Sequence, residues 1–162
     1  METLENRSEP IRRIVVGVDG SEGATRAARW AARLARVTGA EVVAANAMGT
    51  PVFAASLSLV GGAVVNDDWQ TAWKEWVEFV ERTLDEGWSR PLAEAGVAFR
   101  TEAVEGGPEA LIELAEKIEA DMIVVGRRGR GGFAELMLGS FSHHLVHHSR
   151  IPVVVVPDPG QE

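Results

Sequence analysis

Gly126, Gly129, Gly139 and Ser140 fall in one segment, Gly126-Arg-Arg-Gly129 followed after nine residues by Gly139-Ser140. Glycine admits positive φ and lets an anion reach main-chain amides with no Cβ in the way. A helix opening at Ser140 would add free N–H groups and a positive dipole end, which suits a phosphate chain. Ser140 and Ser142 could donate hydroxyls there, and Arg127, Arg128 and Arg130 raise the local positive potential. Asp19 ends an apolar run near the N-terminus, placed either to hold a ribose or to act as a general base; the former is favoured.

Two rival motifs fail. No G-x-x-x-x-G-K-[ST] run occurs. Gly129-Arg-Gly131-Gly132-Phe-Ala134 fits G-x-G-x-x-A, but it lies late in the chain with no acidic residue about 20 positions on, and reads as a chance match. His143, His144, His147 and His148 pair at i, i+4, a spacing that can hold a metal. The two pairs lie about 100° apart around a helix, and no carboxylate or thiolate sits beside them in sequence, so no metal site is assigned. No Ser-His-Asp order or carboxylate pair is legible.

These residues need elements to position them. Ile11–Val18 is a β-branched run of the kind a doubly covered strand shows. Ser21 can cap a helix whose apolar face is Ala24, Ala27, Ala28, Ala31, Ala32, Leu34 and Ala35, and Gly39 stops it. Glu41–Ala47 forms a second strand. Met48 to Val65 is a long aperiodic connection and reads as a functional loop, with a lid one option. Asp67 or Asp68 is expected to cap a long helix reaching about Ala95, with Trp69, Trp73, Trp76 and Val80 on a core-facing side. Val97–Val104 is a third strand, Gly107-Pro108-Glu109 opens a helix, and Met122–Val125 is a fourth strand. A helix from Ser140 to His148 precedes a fifth strand, Val153–Val156.

Strands alternating with helices, and no hairpin signal, predict an α/β fold: a five-stranded parallel sheet of order 3-2-1-4-5 with helices on both faces, Rossmann-like. Strands one and four are then neighbours at the switch point, where ligands bind beyond the strands' carboxyl ends. Asp19 and Gly126 are the residues at those ends.

The 162 residues predict one domain over 11–157, with a disordered lead at 1–10 and a short tail at 158–162. The net charge of −8 disfavours nucleic-acid and anionic-membrane surfaces. No apolar run approaches the roughly 18 residues of a span. The absence of cysteine fits a reducing, cytoplasmic setting.

The spacing Gly126-x2-Gly129-x9-Gly139-Ser140 resembles the nucleotide motif of the ATP-binding universal stress proteins. Ile14-Val-Val-Gly-Val-Asp-Gly-Ser21 is similar to that family's first strand and turn, Asp121-Met-Ile-Val-Val-Gly126 to its fourth strand, and Pro152-Val-Val-Val-Val-Pro157 to its last. The resemblance implies an ATP site, with Gly17 and Val18 among its residues, at which Asp19 meets the ribose or adenine region and Ala47 offers main-chain atoms to the base. Gly126, Gly129, Gly139, Ser140, Phe141 and Ser142 would line the triphosphate, with the charges of Arg127, Arg128 and Arg130 beside it and Mg2+ carried in by the nucleotide. Arg127 and Phe141 depart from the smaller residues usual at their positions. The resemblance also implies a homodimer through Val153–Val156, whose unpaired amides would otherwise lie open. The resulting expectation is a nucleotide-dependent regulator of a stress response. A slow ATPase, with Asp19, Ser142 and His143 as weak candidates to position water, and an interaction module that binds no nucleotide stand as alternatives.

Overall fold

The computed structural model describes residues 10–49, 67–129 and 138–159. Strand β1 spans Arg13–Gly17 and leads into α1, Glu22–Thr38, and then β2, Glu41–Met48. Helix α2 runs Asp67–Thr83, passes through a π-helical turn at Leu84–Trp88, and is followed by α3, Arg90–Ala95. Strand β3, Phe99–Glu105, helix α4, Gly107–Lys117, and strand β4, Met122–Gly126, come next. Helix α5, Ser140–His148, and strand β5, Val153–Val156, complete the described elements. The sheet has the order β3-β2-β1-β4-β5, and all four pairings are parallel, as the strand and helix alternation predicts.

The sheet is covered on both faces. One face packs the alanines of α1 with Leu84 of the π-helical turn and Leu92 of α3 against Ile14, Val16, Val42, Ala44 and Val124. The other packs Leu111, Leu114 and Ala115 of α4 and Leu145 of α5 against Val15, Val43, Ile123 and Val125. The period-2 alternation of a strand sends neighbouring valines to opposite cores, which is why β1 and β4 read as unbroken apolar runs. Helix α1 starts where Ser21 Oγ accepts from the Ala24 amide at 3.1 Å, and ends where Gly39, at φ 75°, donates its N–H to Ala35 O.

The region from 67 to 95 differs from the single long helix expected. Pro91 has no amide to donate, so helical hydrogen bonding is re-phased and a new helix begins with this proline in its first turn. The wider π-helical turn absorbs the change, and Ser89 Oγ donates to Asp85 O at 3.0 Å across it. The tryptophan row is not a core stripe. Val80 is buried, Trp73 is half-buried, and Trp76 is 40% exposed, stacked on an equally exposed Phe79 with ring centroids 5.6 Å apart. Helical spacing defines a face without saying whether a neighbour covers it. The Trp69 side chain, the cap expected before this helix, residues 50–65 of the proposed loop and the lead at 1–9 lie outside the described residues.

Candidate functional site

Strand β1 hands over to α1 through a tight turn that fixes Asp19. Asp19 Oδ1 accepts from the Ser21 amide at 2.9 Å, and Ser21 in turn caps α1. Gly20 takes φ 79°, and the Trp88 indole of the π-helical turn occupies the space where a Cβ would stand. A side chain at position 20 would therefore be strained by its backbone and blocked by the ring.

Strand β4 ends against that turn. A Cβ on Gly126 would lie 2.5 Å from the carbonyl carbon of Gly23, and one on Gly129 would lie 2.6 Å from Asp19 Oδ2. A Cβ on Gly139 would meet Arg127 O at 3.1 Å. These glycines thus let the loop close on β1 and α1, whatever they also do for a ligand. The Arg127 main chain is the clasp: its amide donates to Val156 O at 2.9 Å, and its carbonyl accepts from the Gly139 amide at 2.9 Å.

A cavity of about 510 Å³ opens at the carboxyl ends of β1, β2 and β4. Of the residues picked out by sequence, Gly17, Val18, Asp19, Ala47, Gly126, Arg128, Gly129, Gly139, Ser140, Phe141 and Ser142 line it. Arg127 is not among the lining residues, and Arg130 lies outside the described ones. Ser21, Ala24, Ala45, Asn46 and Val125 also line it and were not singled out as site residues. Their contribution depends on how far β2 and α1 extend beside β1, a long-range fact with no local sequence signal.

Two expected donors are otherwise engaged. Ser142 is 2% exposed, with its hydroxyl 2.9 Å from Arg127 O and 3.0 Å from Gly139 O, so it braces the loop. Arg128 shares the Asp158 carboxylate with Arg26, at 3.7 and 2.5 Å, so its charge is partly matched. Phe141 packs against the core cluster that α4 and α5 form with the sheet.

Other main-chain groups are uncommitted. No side chain caps α5, and the amides of Ser140, Phe141 and Ser142 find no acceptor among the described residues. At the opposite end of the cavity, Glu41 N donates to Arg12 O and Val18 N to Ala45 O, each at 2.9 Å, so residues 41, 43, 45 and 47 of β2 turn their main chain toward β1. The β1–β2 register stops at Gly17↔Ala45. Ala47 therefore presents an N–H and a C=O to the space beyond, with no ladder bond among the described residues.

The histidines of α5 stack in their i, i+4 pairs, with ring centroids 4.3 Å apart for His143 and His147 and 4.0 Å for His144 and His148. His144 Nε2 lies 3.1 Å from Glu109 Oε1 on α4. Among the described residues no three ligating side chains converge on one point. None of the described helices is long and apolar enough to cross a membrane.

Residues 10–157 match the sequence profile of the universal stress protein family. Universal stress protein MJ0531 of Methanocaldococcus jannaschii is 29% identical over 160 residues, covering 98% of this chain and 89% of its own. Among solved structures, hypothetical protein MJ0577 superposes with a TM-score of 0.77 at 20% identity, over 94% of this chain and 100% of that one, a likeness of fold. A universal stress protein crystallised in complex with cAMP superposes with a TM-score of 0.62 at 26% identity, over 92% of this chain and 98% of the other. The switch-point cavity, the glycine loop that closes it and the match along nearly the whole sequence lead to one conclusion: the chain belongs to the universal stress protein family.

Proposed function

We propose that the chain is an ATP-binding regulator of a cytoplasmic stress response, acting as a homodimer. The observation that carries the nucleotide reading is the pair of uncommitted main-chain sets at the two ends of one cavity. The first-turn amides of α5 suit phosphates, since they join free donors to a positive dipole end. The N–H and C=O of Ala47 suit the Watson–Crick edge of adenine, which offers an acceptor and a donor side by side. Asp19, between them, suits ribose hydroxyls. The relative crystallised with cAMP holds an adenine nucleotide, which supports the same ligand class here.

Magnesium would arrive on the phosphates. Asp19 is the one carboxylate among the described lining residues and already accepts from the Ser21 amide, whereas magnesium commonly keeps several waters and few protein ligands. Homodimerisation is supported by β5, bonded among the described strands to β4 alone, with Val153, Val154 and Val155 only half-buried.

Calorimetric titration with ATP and Mg2+ tests the reading, with light scattering on the same samples. Binding of ATP to a species of twice the chain mass is expected. No heat with millimolar ATP rejects the nucleotide site, and a monomer at micromolar concentration rejects the dimer.

A further inference from the structure

Strand β2 continues past the point where β1 stops pairing with it, and one side chain fills the gap. If the β1–β2 ladder ran one rung further, the Ala47 amide would donate to Val18 O. Instead Asn46 Nδ2 donates to Val18 O at 2.6 Å. Asn46 is half-buried and lines the cavity beside Ala47. Its own main chain faces β3, because Val42 N donates to Ala98 O and Gly106 N to Met48 O on that side, so its carboxamide is a separate reach across to β1. The Val18 carbonyl is thereby satisfied without β2 closing on it. Asp19 can then turn away into its own hydrogen bond with Ser21.

We infer that Asn46 is a positioning residue for base recognition: by standing in for the missing rung at Val18 O, it keeps the Ala47 N–H and C=O available to a purine. The inference rests on the adenine nucleotide reading of the cavity, but its structural half, the state of the Ala47 amide, can be measured without ligand. Replacing Asn46 by leucine keeps most of the side-chain volume and removes the donor. Val18 O is then left without its partner, and a part-buried carbonyl lacking a bond is costly enough to draw in the nearest free amide. That amide is the one on Ala47. The variant should add a rung to the sheet and lose half of the base-reading pair. The phosphate end, at the far side of the cavity on α5, should not change.

The test compares wild type with Asn46→Leu in three measurements: hydrogen exchange of the Ala47 amide in the free protein, affinity for ATP, and affinity for inorganic tripolyphosphate. In wild type the Ala47 amide should exchange freely and become protected on adding ATP. In Asn46→Leu it should be protected without ligand, ATP affinity should fall about tenfold, and tripolyphosphate affinity should stay the same. Retained tripolyphosphate binding also shows that the variant is folded. Unchanged Ala47 exchange with an unchanged ratio of ATP to tripolyphosphate affinity overturns the role of Asn46 and leaves the nucleotide site standing. Wild type that binds neither compound removes the nucleotide reading, while the exchange comparison still decides whether Asn46 holds the rung open. Should Asn46→Leu fail to fold, Asn46→Ala is put through the same three measurements with the same expectations.

Discussion

The two ends of the cavity make room by opposite means. At the loop end, space exists because side chains are missing: Gly126 lies on the Gly23 main chain and Gly129 on the Asp19 carboxylate. At the β2 end, space exists because a side chain is present, with Asn46 holding the Val18 carbonyl and leaving Ala47 outside the β1–β2 ladder. The first arrangement should be intolerant of added atoms. The second should tolerate volume and respond to a lost donor.

A glycine series breaks or sharpens this contrast, because the atom each new methyl meets is less rigid at every step. Gly126→Ala is expected to have the largest effect. Its methyl meets the Gly23 main chain at 2.5 and 2.6 Å, and neither β4 nor α1 can move without disturbing the core between them. A loss of about 3 kcal/mol in urea unfolding is expected. A loss below about 0.5 kcal/mol would show that loop and helix separate readily, and would break the contrast.

Gly129→Ala comes next. Its methyl meets Asp19 Oδ2 at 2.6 Å, and a carboxylate can rotate where a backbone cannot. Stability should change by less than about 1 kcal/mol, while ATP affinity should fall about tenfold through the displaced carboxylate. In a double-mutant cycle with Asp19→Ala the two losses should not add, since both act on one contact. Additive losses would separate Gly129 from Asp19.

Gly17→Ala should matter least. The nearest atom is a Val125 methyl at 3.0 Å, the end of a side chain that can shift by a few tenths of an ångström. Thermal unfolding should register under about 1 kcal/mol, a few degrees at most. A larger drop would place Gly17 with the rigid loop end.

Much of this architecture was legible in the sequence because it rests on local rules. The β-branched runs of β1 and β4, the cap at Ser21, the stop at Gly39 and the start of α5 at Ser140 are each written in a few neighbouring residues. From them follow the sheet order and the meeting of Asp19 with the glycine loop. What escaped depends on partners far along the chain. Asn46 matters because β1 stops pairing at Gly17, which nothing around residue 46 announces. Ser142 reads as a phosphate donor until the Arg127 and Gly139 carbonyls are seen to engage its hydroxyl. The Trp76 spacing identifies a face of α2 that no described element covers, and the π-helical turn arises from a proline beyond the helix it interrupts.

The shared Asp158 has an electrostatic consequence. Two guanidiniums, Arg26 and Arg128, converge on this one carboxylate just beyond β5, so the chain carries a tethered counter-ion beside its cavity. An anion entering near Arg128 must compete with a charge that dilution cannot remove. Cleaving the chain before Asp158 would take this charge from both cations at once, leaving Arg26 only the exposed Glu22 at 3.8 Å and strengthening the positive field beside the cavity of a protein whose net charge is −8.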